Sequence, residues 1–267
     1  MVISLAAAGT LHIVGALLVL VGIGTSWVRG PAGRWMTLAA FAAGAAALIA
    51  EGVFRAVVTE RAPLVGTYEN TLVVAILILV ACSIILVFTD PPVRSTLTRL
   101  TAPWAILALA FGSRFSSSPL LVGVEGRGLL AYTHAFAGWL DFTVLIVGTM
   151  AALAMLLNRR GEVSAWQAVT TRMLGAGFVL LTATIASGAV LSFGVFGSWY
   201  QWQIVETLSA VLWLAYGFAL HAFLLFGWRE RRLAALTVAV LPLALATFWV
   251  WALYPGTYHH FERMLGS

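Results

Sequence analysis

The sequence predicts an all-α fold, a polytopic membrane bundle of about eight transmembrane helices with both chain termini on the outer face. Of the 267 residues, 61% are hydrophobic and only 9% are charged, and the mean hydropathy is +0.98. Soluble domains carry about a quarter of charged residues. The apolar residues form runs of about 20, the length that crosses a bilayer as a helix. We expect a single integral membrane domain over residues 1–267.

The predicted spans follow one another with short connections. In chain order they are 3–25, 36–57, 70–89, 101–113, 130–157, 173–195, 204–227 and 233–254. The fourth is the weakest, because it is short and bounded by Pro103 and Ser113. Such a segment can tilt, lie at the interface or enter the membrane partway. The first run is long enough to span and has no basic stretch before it, which favours a membrane helix over a cleaved signal peptide.

The basic residues set the predicted orientation of the spans. All 15 are arginines, and ten of them lie in the loops after the odd-numbered spans: Arg29, Arg34, Arg94, Arg99, Arg159, Arg160, Arg172, Arg229, Arg231 and Arg232. Positively charged loops stay on the cytoplasmic side. The odd loops are therefore expected inside and both termini outside, in a bacterial-type inner (cytoplasmic) membrane. Topology explains the basic charge, so nucleic acid is not expected as a partner.

The single cysteine, Cys82, lies inside an apolar run. One cysteine excludes a disulfide within the chain and a Cys-x-x-Cys site. The chain is therefore neither a c-type cytochrome nor a disulfide reductant. Cys82 is interpreted as a small buried hydrophobic residue.

Two histidines lie within predicted spans, His12 in the first and His221 in the seventh. Ionisable residues inside membranes are costly and are usually functional. Two neutral imidazoles from facing helices can hold a haem iron. Alternatively, each forms a hydrogen bond to a neighbouring helix. His12 lies roughly 15 Å from the outer end of its span and His221 roughly 25 Å, so sharing one iron requires tilt or a late start of the first span.

The other three histidines lie at the outer surface. His134 is about one turn inside the outer end of the fifth span. His259 and His260 come just after the eighth span, in the outer tail. The position of all three at one membrane surface makes them candidate axial ligands of a second haem, His134 pairing with His260 or His259.

An aromatic loop at residues 196–203, Phe-Gly-Ser-Trp-Tyr-Gln-Trp-Gln, lies at the same membrane level. Its Trp199, Tyr200 and Trp202 offer a flat apolar bed for a porphyrin. The alternative is the belt of aromatic residues that membrane proteins have at the interface. Three large aromatic residues within four positions of one loop favour the porphyrin bed.

The acidic residues are few. Glu51 and Asp141 fall within spans, where each can pair with arginine, carry a proton, hydrogen-bond a haem propionate or form a structural polar contact. Glu206 begins the seventh span, where a carboxylate suits the helix dipole. Arg114 and Arg127, on an outer loop, are candidate partners of haem propionates or solvated charges.

Several stretches of the chain carry a family resemblance. Residues 196–207 resemble the Trp-rich outer loop Trp-Gly-x-Tyr-Trp-x-Trp-Asp-Pro-Lys-Glu-Thr of the cytochrome c assembly family, the CcsA/CcmC/HemX-like group of haem-handling membrane proteins. Pro63 to Glu69 resembles an upstream Pro-x-x-Asn-x-Tyr-Glu stretch of the family, and Tyr132 to Ala135 resembles the surroundings of its first outer histidine. Trp213 to Ala222 and Gly256 to His260 resemble its next helix and its terminal Gly-x-His stretch.

The resemblance also has departures. Phe196 stands at the first Trp of the family loop, Gln203 at its Asp, and Ile204 and Val205 at Pro-Lys. The loop keeps its aromatic bed and lacks the acid and the turn proline. Eight spans fit the CcsA- or HemX-like branch better than the six-span CcmC branch.

The resemblance implies haem handling, with one or two b-type haems. His221 would be the ligand of a haem in the membrane with His12 as its partner, and His134 and His260 (or His259) the outer ligands. The implied function is to hold haem in the bundle and present it outside for attachment to apocytochrome c, as a candidate component of a haem lyase or synthase. Partners would be the lipid bilayer, haem and an apocytochrome c, cytochrome c or biogenesis protein.

Two alternatives stay open from the residues. The same histidines could serve as permanent haem b ligands in an electron-transfer subunit of a respiratory complex. Such a subunit would exchange electrons with quinol. The changed aromatic loop favours this, since a permanent haem needs no release. A HemX-like accessory protein is the third interpretation, and no specific residue favours it.

Overall fold

The computed structural model describes residues 2–64, 66–115, 117, 128–157 and 163–254. Within these ranges the regular structure is helical throughout, in nine helices: α1 Val2–Thr25, α2 Gly30–Thr59, α3 Thr67–Phe88, α4 Pro91–Thr101, α5 Pro103–Gly112, α6 Leu129–Leu157, α7 Val163–Phe196, α8 Ile204–Leu224 and α9 Glu230–Leu253. Seven of them are long and apolar enough to cross a membrane. The predicted all-α membrane bundle is confirmed.

The fourth predicted span corresponds to α5, which has 10 residues. It follows α4 directly, because Ala102 keeps helical backbone angles and its N–H still donates to the carbonyl of Thr98. Pro103 has no N–H to continue the hydrogen-bond pattern, so the helix is interrupted there. The orientation of the spans, with both termini outside, stays a prediction.

The chain divides into two compact units, residues Met1–Leu121 and Val122–Ser267. Their action as one membrane domain, as expected from the sequence, stays a prediction. In unit 1, α2 packs on α1 and α3, and α3 also packs on α4 and α5. Leu72, Ile78 and Leu79 of α3 are fully buried, which makes α3 the central helix of this unit.

The α1–α2 pair of unit 1 packs through glycines. A Cβ at Gly15 would meet the side chain of Leu48, and one at Gly22 would meet the ring of Phe41. The two glycines are seven residues apart and share one face of α1. Their missing side chains let the larger residues of α2 fill the space, the usual solution for helices packed within a membrane.

In unit 2, α6 is the central helix and packs along α7 and α9, while α8 packs on α7 and α9. The helices α6 and α7 are antiparallel. Gly138 of α6 lies opposite Thr184, and Gly148, further along α6, lies opposite Met173, which is earlier in α7. Phe142 of α6 packs on Phe248 of α9 with ring centroids 4.8 Å apart.

Candidate functional site

A buried polar cluster in unit 1 surrounds His12. Its imidazole lies mid-way along α1 with 13% of the side chain exposed. Nδ1 is 3.1 Å from Oε2 of Glu51 on α2 and 3.0 Å from the hydroxyl oxygen of Tyr68 on α3. The Tyr68 hydroxyl donates to Oε1 of Glu51 at 2.6 Å. Three helices thus place one histidine, one carboxylate and one phenol in mutual contact.

The hydrogen bonds of this cluster assign the tautomer of His12. Tyr68 has one hydroxyl proton, and the short bond gives it to Glu51. The two atoms near Nδ1 are then oxygen acceptors, so Nδ1 carries the ring proton and donates it. In the neutral ring Nε2 then has the lone pair, and no described residue forms a hydrogen bond with it. A histidine held through Nδ1 by a carboxylate, with Nε2 unused, is the arrangement of metal-ligating histidines.

Next to this cluster, two buried arginines share one carboxylate. Arg55 donates to Oε1 of Glu69 through Nε at 3.3 Å and Nη2 at 3.2 Å. Arg61 donates to Oε2 of Glu69 at 2.6 Å and to Oε1 at 3.1 Å. The guanidinium of Arg55 also lies 4.8 Å from the ring centroid of Tyr68, which joins the two groups. Two arginines balance Glu51 and Glu69, so the network is neutral when His12 is neutral.

His12 and Glu51 were candidates from the sequence, whereas the rest of the cluster was missed. Arg55 and Arg61 are not among the ten arginines of the predicted inner loops, which places them on the predicted outer side, and both are buried. Tyr68 and Glu69 entered the prediction only through the family resemblance. The available signal was the density of charge between residues 51 and 69 in a chain with only 9% charged residues.

In unit 2, His134 is fixed between α6 and α7. Its Nδ1 lies 3.0 Å from the carbonyl oxygen of Thr184 and 3.1 Å from Oγ of Ser187. A carbonyl only accepts, so Nδ1 carries the proton and Nε2 again keeps its lone pair. Gly188 makes room for the ring, because a Cβ there would lie 2.8 Å from Cε1 of His134.

His221 is also held through Nδ1. Its Nδ1 lies 2.7 Å from the carbonyl oxygen of Gly217, one turn earlier in α8, and the side chain is exposed. His221 is 18 residues after Gln203, roughly 27 Å along the helix axis. It therefore lies near the opposite end of unit 2 from loop 196–203. The pairing of His12 with His221 at one iron stays a prediction.

The loop 196–203 has a defined conformation that keeps its large rings outward. Trp202 is 83% exposed and Trp199 57% exposed. Trp199 stacks on Phe193 of α7 with centroids 4.5 Å apart, and Tyr200 meets Trp202 edge-on at 4.9 Å. An exposed, stacked aromatic surface of this kind is suited to a planar apolar ligand.

Polar contacts beneath the aromatic rings hold the loop backbone. Glu206, in the first turn of α8, accepts the N–H of Gln201 at 2.8 Å and of Gln203 at 3.2 Å. Gln203 in turn caps the start of α8, completing a capping box. Gly197 (φ +70) and Trp202 (φ +58) both have left-handed backbone. Glycine adopts that conformation freely and tryptophan rarely does, so the loop stores strain at Trp202.

The loop and His134 lie at the same end of unit 2. His134 contacts α7 at Gly188, and α7 ends eight residues later at Phe196, about 12 Å along the axis. Arg114 is exposed. The predicted ligands His259 and His260, and Arg127, lie outside the described residues. No group of three or more metal-ligating side chains occurs among the residues that the structure describes.

Fold and site together define a polytopic α-helical membrane protein whose three described histidines are each held through Nδ1. The sequence model of the family described as "Cytochrome C assembly protein" matches residues 64–257. The chain therefore belongs to this family, as the resemblance predicted.

Individual relatives are consistent with that membership. The chain is 28% identical over 181 residues to a cytochrome c biogenesis protein CcsA of Chlamydomonas reinhardtii, covering 61% of this chain and 49% of the relative. It is 32% identical over 115 residues to CcsA of Microcystis aeruginosa, covering 43% and 33%. The chain thus spans about half or less of the length of these curated relatives.

A solved structure shares the fold. The cytochrome c haem lyase CcmF superposes with a TM-score of 0.69 at 16% sequence identity, over 93% of this chain and 50% of CcmF. At that identity the likeness establishes the fold alone.

Proposed function

We propose that this chain binds haem in the membrane and presents it at the end of unit 2 that carries loop 196–203, for attachment to apocytochrome c. The observation that carries the proposal is the shared state of His12, His134 and His221. In each, Nδ1 lies within hydrogen-bond distance of an oxygen acceptor, so that in the neutral ring Nε2, the atom that ligates haem iron, has its lone pair free. Family membership supports the same function.

At the loop, haem is treated as cargo. His134 supplies one axial ligand, Trp199 and Trp202 supply a flat apolar surface, and His260 or His259 is proposed as the second ligand. The chemistry of attachment resides in the haem vinyl groups: a thiol adds across each, sulfur bonding to one carbon and the proton going to the other. Cys82 is the only cysteine and is buried, so the thiols come from a partner with a Cys-x-x-Cys-His segment.

His12 is proposed to hold a haem that stays in the membrane. The fit rests on the cluster around it, since Glu51 and Tyr68 fix the ring and leave Nε2 available. The proposed location is a bacterial-type inner membrane.

An electron-transfer subunit is the second candidate, favoured by Gln203 at the position of the family's loop acid. The test is a redox-titrated optical spectrum of the purified protein with haem quantified per chain as the pyridine haemochrome. One firmly held haem plus a substoichiometric, exchangeable one supports delivery. Two stable b-type haems with separate reversible potentials support electron transfer, and absence of haem overturns both.

Replacing Glu51 by glutamine is expected to lower haem occupancy at His12 without unfolding the protein. The amide cannot accept both hydrogen bonds with the strength of a carboxylate, so the imidazole loses its orientation. Changes of this kind cost about 10–100-fold in metal affinity. Haem content and thermal unfolding are measured together, with the exposed Asp90→Asn as control. Unchanged haem affinity in Glu51→Gln would show that this cluster does not contribute to haem binding.

Replacing Trp202 by alanine is expected to weaken haem binding at the loop by about tenfold or more while leaving stability within about 0.5 kcal/mol. The reason is that the ring is 83% exposed and supports little of the fold. The measurement is haem titration of the purified protein. Trp35→Ala removes an exposed tryptophan from unit 1 and is the control. Equal effects of the two changes would show that the loop is only part of the interfacial aromatic belt and not a haem site.

A further inference from the structure

A buried acid in unit 2 has no role in the proposed haem sites. Asp141 lies on α6 and is fully buried, and neither carboxyl oxygen has a hydrogen-bond partner among the described residues. None of the ion pairs found in the described ranges includes it. Almost all buried polar groups in proteins are satisfied, so an acid in this state calls for an explanation.

Two further buried polar groups lie in the interior of the same unit. The hydroxyl of Tyr216, from α8, and Oγ1 of Thr149, on α6, are both buried, and within the described part of the chain neither has a polar partner other than the other hydroxyl. Asp141 is close enough to the Tyr216 hydroxyl to interact with it electrostatically. From α7, Gly177 comes so close that a Cβ would lie 3.5 Å from Oδ1 of Asp141. An acid, a phenol and an alcohol thus share one interior region.

No described charge on the packed helices faces this region. On α7, Arg172 is five residues before Gly177, and that spacing turns it to another side of the helix. On α9, Phe248 is level with Phe142, so the charged first turn lies roughly 24 Å away along the axis. On α8, Tyr216 is the titratable residue that faces Asp141, while Glu206 and His221 stand in the first and last turns.

An ionised carboxylate in this setting would be a buried charge without a counter-charge, which costs several kcal/mol inside a membrane. The neutral carboxylic acid avoids that cost and gains a donor. Asp141, Tyr216 and Thr149 would then each carry one exchangeable O–H proton. Buried polar groups of this kind are commonly joined by ordered water.

We propose that Asp141, Tyr216 and Thr149 form an internal proton-binding site. Asp141 holds the proton as a neutral acid and exchanges it with solvent through the two hydroxyls and bound water. The ligand class is the proton with water, and the site does not depend on haem binding. Intramembrane carboxylic acids are the groups that membrane proteins use for proton transfer.

Infrared spectroscopy of the detergent-solubilised protein at neutral pH tests the proposal. The expected result is a carbonyl band of a protonated carboxylic acid that Asp141→Asn removes and that shifts in D₂O. Asp90→Asn, at an exposed acid, should leave the band intact. Tyr216→Phe is expected to slow the D₂O shift about tenfold, since one link of the hydrogen-bonded chain is lost. Tyr254→Phe, at an exposed tyrosine after α9, is the matched control and should not slow it.

Three outcomes would overturn the site. Absence of the band at neutral pH means that Asp141 is ionised, for example beside a bound cation. A band that persists without shifting in D₂O means a static acid without exchange. Equal D₂O shift rates in Tyr216→Phe and Tyr254→Phe would mean that the Tyr216 phenol is not part of the proton path. All three outcomes are independent of haem content, so they leave the proposed function standing.

Discussion

Replacing His134 by alanine is expected to abolish c-type cytochrome formation in the host while the protein still inserts in the membrane. The imidazole is proposed as the axial ligand of the haem presented beside loop 196–203, and alanine offers no ligand atom. Losing only an orienting partner costs about 10–100-fold in metal affinity, so losing the ligand should cost at least about 100-fold. The measurement is covalent haem staining of c-type cytochromes in cells that depend on this chain.

The control for this change is Thr133→Ala. Thr133 is the preceding residue, is exposed, and donates only to the carbonyl of Leu130 in its own helix. It should leave cytochrome formation unchanged. Normal cytochrome formation with His134→Ala would end the delivery hypothesis and favour the electron-transfer subunit, in which the same change removes one redox centre.

A second variant distinguishes the effect of moving the His134 ring from the effect of removing it. Gly188→Ala keeps the histidine and adds a methyl group that would lie 2.8 Å from Cε1 of the ring. The ring of His134 or the backbone of α7 must shift to accommodate it. Cytochrome formation is expected to fall while haem content falls less, because the ligand atom is still present. An effect equal to that of His134→Ala in both measurements would show that α6 and α7 no longer pack.

The membrane helices were predictable because a hydrophobic run of span length is compatible with few structures other than a membrane helix. Some predicted span boundaries differ from the observed helix ends, because polar residues lie within the helices. The span predicted at 173–195 belongs to α7, which begins at Val163, since Trp166 and Thr170 are buried although polar neighbours surround them. The stretch before the fourth span was taken as an arginine-bearing loop and is helix α4, which buries Val93 and Leu97, four residues apart, on one face.

The positions of the candidate ligands were predictable, whereas their hydrogen-bond partners were not. His12 and Tyr68 are 56 residues apart, and no local pattern brings a phenol to that imidazole. The sharing of Glu69 by two arginines depends on how the α2–α3 connection folds back. Such contacts follow from the way the helices pack. The pattern of hydrophobic residues predicts which face of a helix is buried, and it does not predict which atoms meet there.

Replacing Glu69 by glutamine is expected to lower the free energy of unfolding by about 3–5 kcal/mol, more than any other single substitution proposed for this chain. The carboxylate accepts from both Arg55 and Arg61, and all three side chains are buried. Glutamine keeps the size of the side chain and removes the charge, so two buried guanidinium groups lose their shared counter-charge. The measurement is reversible unfolding of the purified protein in mixed detergent micelles.

Two further variants decide whether charge is the cause. Glu60→Gln removes an exposed carboxylate a few residues earlier and should change the free energy of unfolding by less than about 0.5 kcal/mol. Arg61→Met, added to Glu69→Gln, removes one of the stranded charges and should recover part of the loss, because an apolar replacement of a buried ion pair is often tolerated. Without any recovery, the loss would come from the other contacts of Glu69 rather than from uncompensated charge. With recovery, the arginine–glutamate group is a network in which buried charges balance each other.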